Sequence, residues 1–205
     1  MKGITREGIV EAALEVLDDG GIDAVTVRAV ATRLGIKAPA LYHHVRSKQD
    51  LLDEMGTVMQ RRVNAAFQAS GADLPWPQAL AAYARALRAE YLRHRDGARI
   101  FSGTRLTDPE VLRAQEPWLE RAVAGGAELD RLIDAAEAIT AFVVGFVIEE
   151  QERRQSGGTL RYSVEGRDAA LGPDVPLVIA SGHGRSDHDA RFARQLDLLL
   201  IGITS

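Results

Sequence analysis

Leu129, Leu132, Ala136, Ile139, Val143 and Phe146 step along the chain by 3, 4, 3, 4 and 3 residues. At 3.6 residues per turn, an α-helix brings such positions onto one narrow stripe, and a strand scatters them over both faces. The spacing predicts one unbroken helix over about 127–155. A second stripe, Phe192, Leu196, Leu199 and Ile203, steps by 4, 3 and 4, behind an expected cap at Ser186-x-x-Asp189. Shorter periodic segments fill most of the rest. One runs from Thr5 to Asp19 and stops at Gly20-Gly21, and a second starts at Thr26 and runs to Leu34. A short third holds Leu41, Tyr42 and Val45. Further helices are expected over about 47–69, 77–94 and 108–124, the last bent at Pro117, with at most a turn of helix in 95–103. The stretch from Gly157 to Gly184 reads as loop, because Gly and Pro recur through it. No convincing strand stands out. The fold class is all-α, with about eight to ten helices.

Composition agrees and removes several alternatives. The 205 residues are 46% hydrophobic and 26% charged, ordinary for a globular protein, with no cysteine and only 5% aromatics. A disulfide scaffold, a thiolate metal cluster and a cysteine nucleophile are all excluded. No run approaches the roughly 20 apolar residues that span a bilayer. The opening Met1-Lys2-Gly3-Ile4-Thr5-Arg6-Glu7 has no signal-peptide core. A soluble, cytoplasmic protein with no membrane partner is expected.

Charge is unevenly placed. Between Thr26 and Lys48 lie Arg28, Arg33, Lys37, Arg46 and Lys48, with two histidines and no carboxylate, inside a chain of net charge −4. An acidic body with one short basic segment points to a local anion contact. The same segment has the spacing of a helix-turn-helix. Thr26 caps the first helix, Gly35 makes the turn, and Pro39 suits the first turn of the second helix. In that motif the first helix braces across the phosphates, and the second presents its N-terminal residues to the major groove. Ser47-Lys48-Gln49-Asp50 then resembles a capping box and opens the next helix. Ser70 to Pro77 is a further break. The expected division is a helix-turn-helix domain over 1–46 and a helical domain over 47–205, with 47–69 as the connecting helix.

The residues from Thr26-Val27-Arg28 to Gly35-Ile36, followed by Ala40-Leu41-Tyr42-His43-His44-Val45-Arg46-Ser47-Lys48, resemble the DNA-binding domain of the tetracycline repressor (TetR) family. His94 to Arg99, Gly103-Thr104-Arg105 and Glu149 to Glu152 are similar to segments of the ligand-binding core of the tetracycline repressors. The resemblance covers nearly the whole chain and is weakest between Gly157 and Gly184. It implies a DNA-facing set of Thr26, Arg28, Lys37, Ala38, Pro39, Ala40, Tyr42, His43, His44 and Lys48. Ala38 and Ala40 stand where tetracycline repressors hold a base-reading Gln and a Thr, which implies a different operator. Arg28 is then the expected direct reader, since an arginine can bond a guanine edge at two points.

The resemblance further implies a dimeric, ligand-responsive repressor that leaves a palindromic operator when a small molecule binds the C-terminal domain. The interface is expected at Leu129, Val143, Phe146, Phe192, Leu196, Leu199 and Ile203, in preference to the alternative that both seams face the chain's own core. The expected pocket lining is Asn64, Phe67, Tyr83, Leu87, Phe101, Thr104, Arg105 and Trp118, with Leu132, Ala136 and Ile139 further in. Asn64, Tyr83 and Phe101 replace the drug-anchoring and magnesium-binding side chains of tetracycline repressors. The expected effector is therefore an apolar or aromatic molecule with a polar edge, and not a tetracycline–magnesium chelate. No cofactor, catalytic residue or protein-held metal is expected. Two alternatives compete: a DNA-binding regulator without an effector, and a helical enzyme built on Glu149, Glu150 and Glu152 or on His183, Asp187, His188 and Asp189. The acidic cluster lacks the opposing Glu-x-x-His helices of a di-iron bundle, so the enzyme reading is set aside.

Overall fold

A computed structural model describes residues 5–155, 164–183 and 187–204. Twelve helices and no strand occur among the described residues. The first three follow the punctuation of the sequence. α1 (Arg6–Gly20) is capped by Thr5, whose hydroxyl accepts from the Gly8 N–H at 3.1 Å, and it ends at Gly21 with φ of 78°. α2 (Val27–Arg33) is capped in the same way by Thr26, which accepts from the Ala29 N–H at 3.1 Å. α3 (Ala38–Leu41) carries Pro39 in its first turn. It is shorter than the segment through Val45 suggests, although the Val45 N–H still bonds the Leu41 carbonyl at 3.0 Å.

α4 (Lys48–Ser70) is capped by Ser47, which accepts from the Asp50 N–H at 3.0 Å. The return arm of the box is displaced by one residue, since Asp50 Oδ2 accepts from the Arg46 N–H at 3.0 Å. α5 (Trp76–Leu92) and the short α6 (Gly97–Phe101) follow. The single bent helix expected over 108–124 is two helices, α7 (Pro109–Arg113) and α8 (Glu116–Ala124). Pro117 has no N–H to offer Arg113 and disfavours helical geometry at Glu116, so the chain restarts there instead of bending. α9 (Leu129–Gln155) is the long helix that the 3,4 spacing predicts.

The stretch read as loop contains two eight-residue helices, α10 (Val164–Leu171) and α11 (Pro176–His183). Gly172, with φ of 70°, directly follows α10, and Pro176 opens α11. The glycine and proline that looked like loop signals are a helix stop and a helix start. The rest of that stretch, 157–163 and Gly184, lies outside the described residues, as does Ser186 of the expected cap. For α12 (His188–Thr204), Asp187 Oδ1 accepts from the Ala190 N–H at 2.9 Å.

The chain divides into two compact units at Gln151/Glu152. The expected boundary at residue 46 falls inside the first unit, between α3 and α4. In this unit α1 packs on α2 and α4, and α4 packs on α5. Leu14, Leu17, Val30, Leu41, Leu51 and Met55 are fully buried at one end, and Leu80, Leu87, Tyr91 and Ile100 along α5 and α6. On α9, Leu132, Ile139, Val143 and Phe146 are buried within the single chain, and Leu129 is half exposed. Phe192 and Leu196 of α12 are also buried, with Leu198 and Ile201 exposed. The seams are therefore largely interior surface of one chain. Of the expected interface residues, Val143, Phe146, Phe192 and Leu196 are buried within the chain itself, and Leu129, Leu199 and Ile203 keep exposed surface. Among the described residues, no helix is long and apolar enough to cross a membrane.

Candidate nucleic-acid interface and internal cavity

The turn between α2 and α3 is built from backbone hydrogen bonds. The Ile36 N–H reaches the Ala31 carbonyl and the Gly35 N–H the Thr32 carbonyl, both at 3.0 Å. This is the Schellman arrangement, which needs a left-handed residue, and Gly35 supplies it with φ of 67°. α3 is thereby held across the end of α2, with Leu41 and Val45 buried beneath it. Its other side chains are left outside: Lys37, Pro39, Tyr42, His43 and His44 are exposed, and Ala38 and Ala40 half-buried. Thr26 and Arg28 at the start of α2 are exposed on the same motif.

The five cations of this segment are not equivalent. Arg33 is bound to Glu15 at 3.0 Å and to Asp19 of α1. Hydrogen bonds to these carboxylates raise its pKa above the ordinary arginine value. It ties α2 to α1 and contributes little free positive charge. Lys48 Nζ donates to the Ile22 carbonyl at 2.9 Å, which fixes the side chain beside the loop after α1. Two of its three N–H donors remain for an anion. Arg28, Lys37 and Arg46 are exposed.

A set of charged contacts joins this head to the helices behind it. Asp18 accepts from the Arg95 N–H at 2.9 Å and lies 3.0 Å from His94 Nδ1. Asp96 Oδ2 accepts from the Ile22 N–H at 3.0 Å, and Asp96 itself is left-handed with φ of 56°. Arg62 of α4 bonds Glu11 of α1 at 2.6 Å and lies 3.3 Å from His94 Nε2. Arginine only donates, so Nε2 accepts, and His94 carries its proton on Nδ1, facing Asp18. Arg6 pairs with Glu54 at 2.7 Å. No local pattern marks this joint, because the partners that cross it from the head lie 48 to 77 residues away.

Deeper in the first unit is a cavity of about 70 Å³. Asn64, Phe67, Tyr83, Trp118 and Ala136 line it, and Gln68, Ala114, Gln115, Leu119 and Ile133 complete the wall. Some of the latter were legible as helical neighbours of expected residues: Gln68 is four after Asn64, and Ile133 three before Ala136. Phe67 meets Tyr83 edge-on at 5.9 Å and Trp118 edge-on at 5.7 Å, a stabilising aromatic geometry. No charged residue lines the cavity. Two of its amides are engaged: Asn64 accepts from Gln60 Nε2 at 3.0 Å and donates to the Val111 carbonyl at 2.9 Å, and Gln68 donates to the Ala114 carbonyl at 3.3 Å. Burial raises the Tyr83 pKa, with Thr140 and Gln60 beside its hydroxyl pulling the other way. The phenol is neutral at physiological pH.

The other expected pocket residues are elsewhere. Leu87, Leu132 and Ile139 are buried core. Phe101 packs on Tyr91 at 5.5 Å. Thr104 donates to the Phe101 carbonyl at 3.1 Å and sits against Gly56, where a Cβ would lie 2.6 Å from its hydroxyl. Arg105 bonds buried Asp53 at 3.2 Å and is otherwise exposed, lining a polar groove of about 510 Å³ with His43 and His44. Glu150, fully buried, receives both Nε and Nη2 of Arg88 at 3.0 and 2.9 Å. That pairing explains a carboxylate near the end of α9 without a ligand. Among the described residues no cluster of three His, Cys, Asp or Glu is placed to hold a metal ion.

Residues 9–55 match the family described as bacterial regulatory proteins, tetR family, and residues 69–205 match the tetracyclin repressor-like C-terminal domain. The chain belongs to the TetR family. It is 34% identical over 195 residues to the tetracycline repressor protein class A from transposon 1721 of Escherichia coli, covering 95% of this chain and 88% of that one. A possible TetR family transcriptional regulator from Streptomyces coelicolor superposes with a TM-score of 0.80 at 33% identity, covering 98% of both chains. The BioQ regulator, in a crystal structure with its double-stranded DNA operator, superposes at 0.66 with 26% identity and 98% coverage of both. As a TetR-family protein, the chain is a DNA-binding transcriptional regulator and not an enzyme. Proteins of this family bind operator DNA as dimers and respond to small molecules.

Proposed function

We propose that the chain is a repressor that binds a palindromic operator as a homodimer and leaves it when a small molecule enters the cavity between α4, α5, α8 and α9. Residues 1–46 form the DNA-binding head and 47–205 the effector and dimer body. Arg28 reads a base edge. Ala38, Pro39, Ala40 and Tyr42 lie against the groove floor, and Thr26, Lys37, His43, His44 and Lys48 hold phosphates. Contact between copies uses Leu129, Leu199 and Ile203 together with the exposed apolar residues Leu198 and Ile201 of α12. The observation that carries this reading is the joint at Asp18, His94, Arg95 and Asp96. It hydrogen-bonds the head directly to the turn that ends α5, the helix contributing Tyr83 to the cavity. A ligand that moves this wall moves the recognition helix, provided that it binds the two arrangements unequally.

The effector is not a tetracycline–magnesium chelate. The cavity wall has no carboxylate or imidazole, and Phe101 packs on Tyr91 instead of facing it. A second reading, regulation without any small molecule, is favoured by one observation: about 70 Å³ is far below the roughly 300–1,000 Å³ of ordinary ligand pockets. Selection of sites from a random duplex pool, followed by a compound screen for release of the selected duplex, tests both. An enriched palindrome that a compound releases supports the effector-controlled repressor. A palindrome that no compound releases supports the second reading, and unenriched, salt-sensitive binding overturns both.

A further inference from the structure

The cavity has one polar group with nothing to bond. Trp118 is 9% exposed and lines the wall, and its indole Nε1–H is buried without an acceptor among the described residues. A buried donor left unpaired is costly, so native interiors seldom keep one. No amide oxygen of the wall accepts it: Asn64 Oδ1 accepts from Gln60 Nε2 instead, and the Gln68 amide is turned to the Ala114 carbonyl. The rest of the wall is aromatic or aliphatic, with no charge to meet an ion. An ionised ligand would lose its hydration there and find no counter-charge.

We propose that the cavity takes an uncharged, largely apolar ring compound with one carbonyl oxygen, and that this oxygen accepts the Trp118 indole proton. The inference rests on the effector reading above and names the chemistry of that site. Phe67 and Tyr83 offer ring edges and faces to the ring system, and Trp118 supplies the single directional contact. The cavity is small, so the ligand enters by pushing the wall outward. Gln68, Ala114 and Ile133 of the wall are exposed, and Gln115 and Leu119 are only half-buried, so this side can give way without disturbing the core.

The test uses three matched compounds on the full chain carrying Trp76→Phe, which leaves Trp118 as its only tryptophan. They are 1-indanone (ring and carbonyl), indane (ring alone) and indane-1-carboxylate (ring and charge). Binding is read from Trp118 fluorescence, and the hydrogen bond from the indole N–H signal in a ¹⁵N–¹H spectrum. The expected result is a downfield shift of the indole proton with 1-indanone only. Binding of 1-indanone should be roughly three- to tenfold tighter than that of indane, the usual worth of one neutral hydrogen bond. The carboxylate should bind more weakly than either. Trp118→Phe keeps an aromatic ring at the wall and should bring the ratio of 1-indanone to indane affinity to about one, whatever the change in each, which calorimetry can follow without the indole. Equal affinity for 1-indanone and indane with an unmoved indole proton overturns the proposal, as does tightest binding by the carboxylate or no binding by any of the three. The two readings fail separately. Ranking as expected without release of operator DNA sinks the effector reading and keeps this one. A charged compound that displaces 1-indanone and releases DNA does the reverse.

Discussion

At the scale of single residues, the head distinguishes reading from holding. Arg28 is exposed at the start of α2 with its guanidinium unspent, whereas Lys48 is pinned at the Ile22 carbonyl with two donors left over. A planar fork suits a base edge and a point charge suits a phosphate. Arg28→Ala should cost about 1–3 kcal/mol on the selected operator and relax preference at one base position. Lys48→Ala should weaken every duplex alike and lower the salt slope by about one. Binding titrations at several salt concentrations, on the operator and on single-base variants, separate the two. Uniform loss in both variants would reduce Arg28 to a phosphate contact. Arg33 marks what counting charges misses, because its partners Glu15 and Asp19 lie on the preceding helix.

At the scale of elements, what the sequence disclosed was local, and what it hid was pairing over distance. Thr26 and Ser47 cap the helices they were expected to cap, and Thr5 caps α1 in the same way, because a cap is a contact three residues long. The 3,4 spacing on α9 gave a helix but not its partner, and burial of Val143 and Phe146 shows that the stripe faces the chain's own interior. The Gly and Pro signals around α10 and α11 marked helix ends, and without a strong apolar stripe they read as loop. Two substitutions probe such ends. Gly35→Ala meets no atom within 4 Å of its new Cβ, so its cost is backbone strain alone, about 1–2 kcal/mol in a denaturant melt. A loss near zero would mean that the α2–α3 turn relaxes away from the left-handed geometry. Asp108 caps α7 and bonds Arg61 of α4 at 2.8 Å, which lowers its pKa below the ordinary 3.8. A carboxylate with a lowered folded pKa stabilises above its unfolded value and loses that stability as pH falls through the folded one. Asn also caps well, so the stability difference between the native chain and Asp108→Asn should be constant above about pH 5 and shrink below pH 4. A difference that persists at pH 2 would assign the effect to something other than this ion pair.

At the scale of the whole regulator, function requires that the head respond to the body and yet move as a piece. Beside the apolar packing of α1 on α4, polar contacts join them: Asp18 with His94 and Arg95, Asp96 with the Ile22 N–H, Arg62 with Glu11, and Arg6 with Glu54. Polar contacts of this kind suit a hinge, because they re-form in a second arrangement more readily than close-packed side chains do. Asp18 is the sharpest point to test. Its two oxygens hold two consecutive residues, and it is itself 42% exposed, so its loss leaves the core of either side untouched. Asp18→Ala should lower hydrogen-exchange protection across α1 to α3 while amides in the middle of α4 and α5 keep theirs, since local opening of the head no longer breaks these bonds. Operator affinity without effector should change by only a few fold, because Arg28, Lys48 and the α2–α3 turn are all still in place. The effect of any releasing compound on that affinity should fall, and by linkage the effect of operator on the compound's affinity should fall by the same factor. Equal loss of protection in head and body would show that Asp18 supports the fold as a whole. Undiminished release would place the coupling in Asp96–Ile22, Arg62–Glu11 and Arg6–Glu54, the polar links that remain.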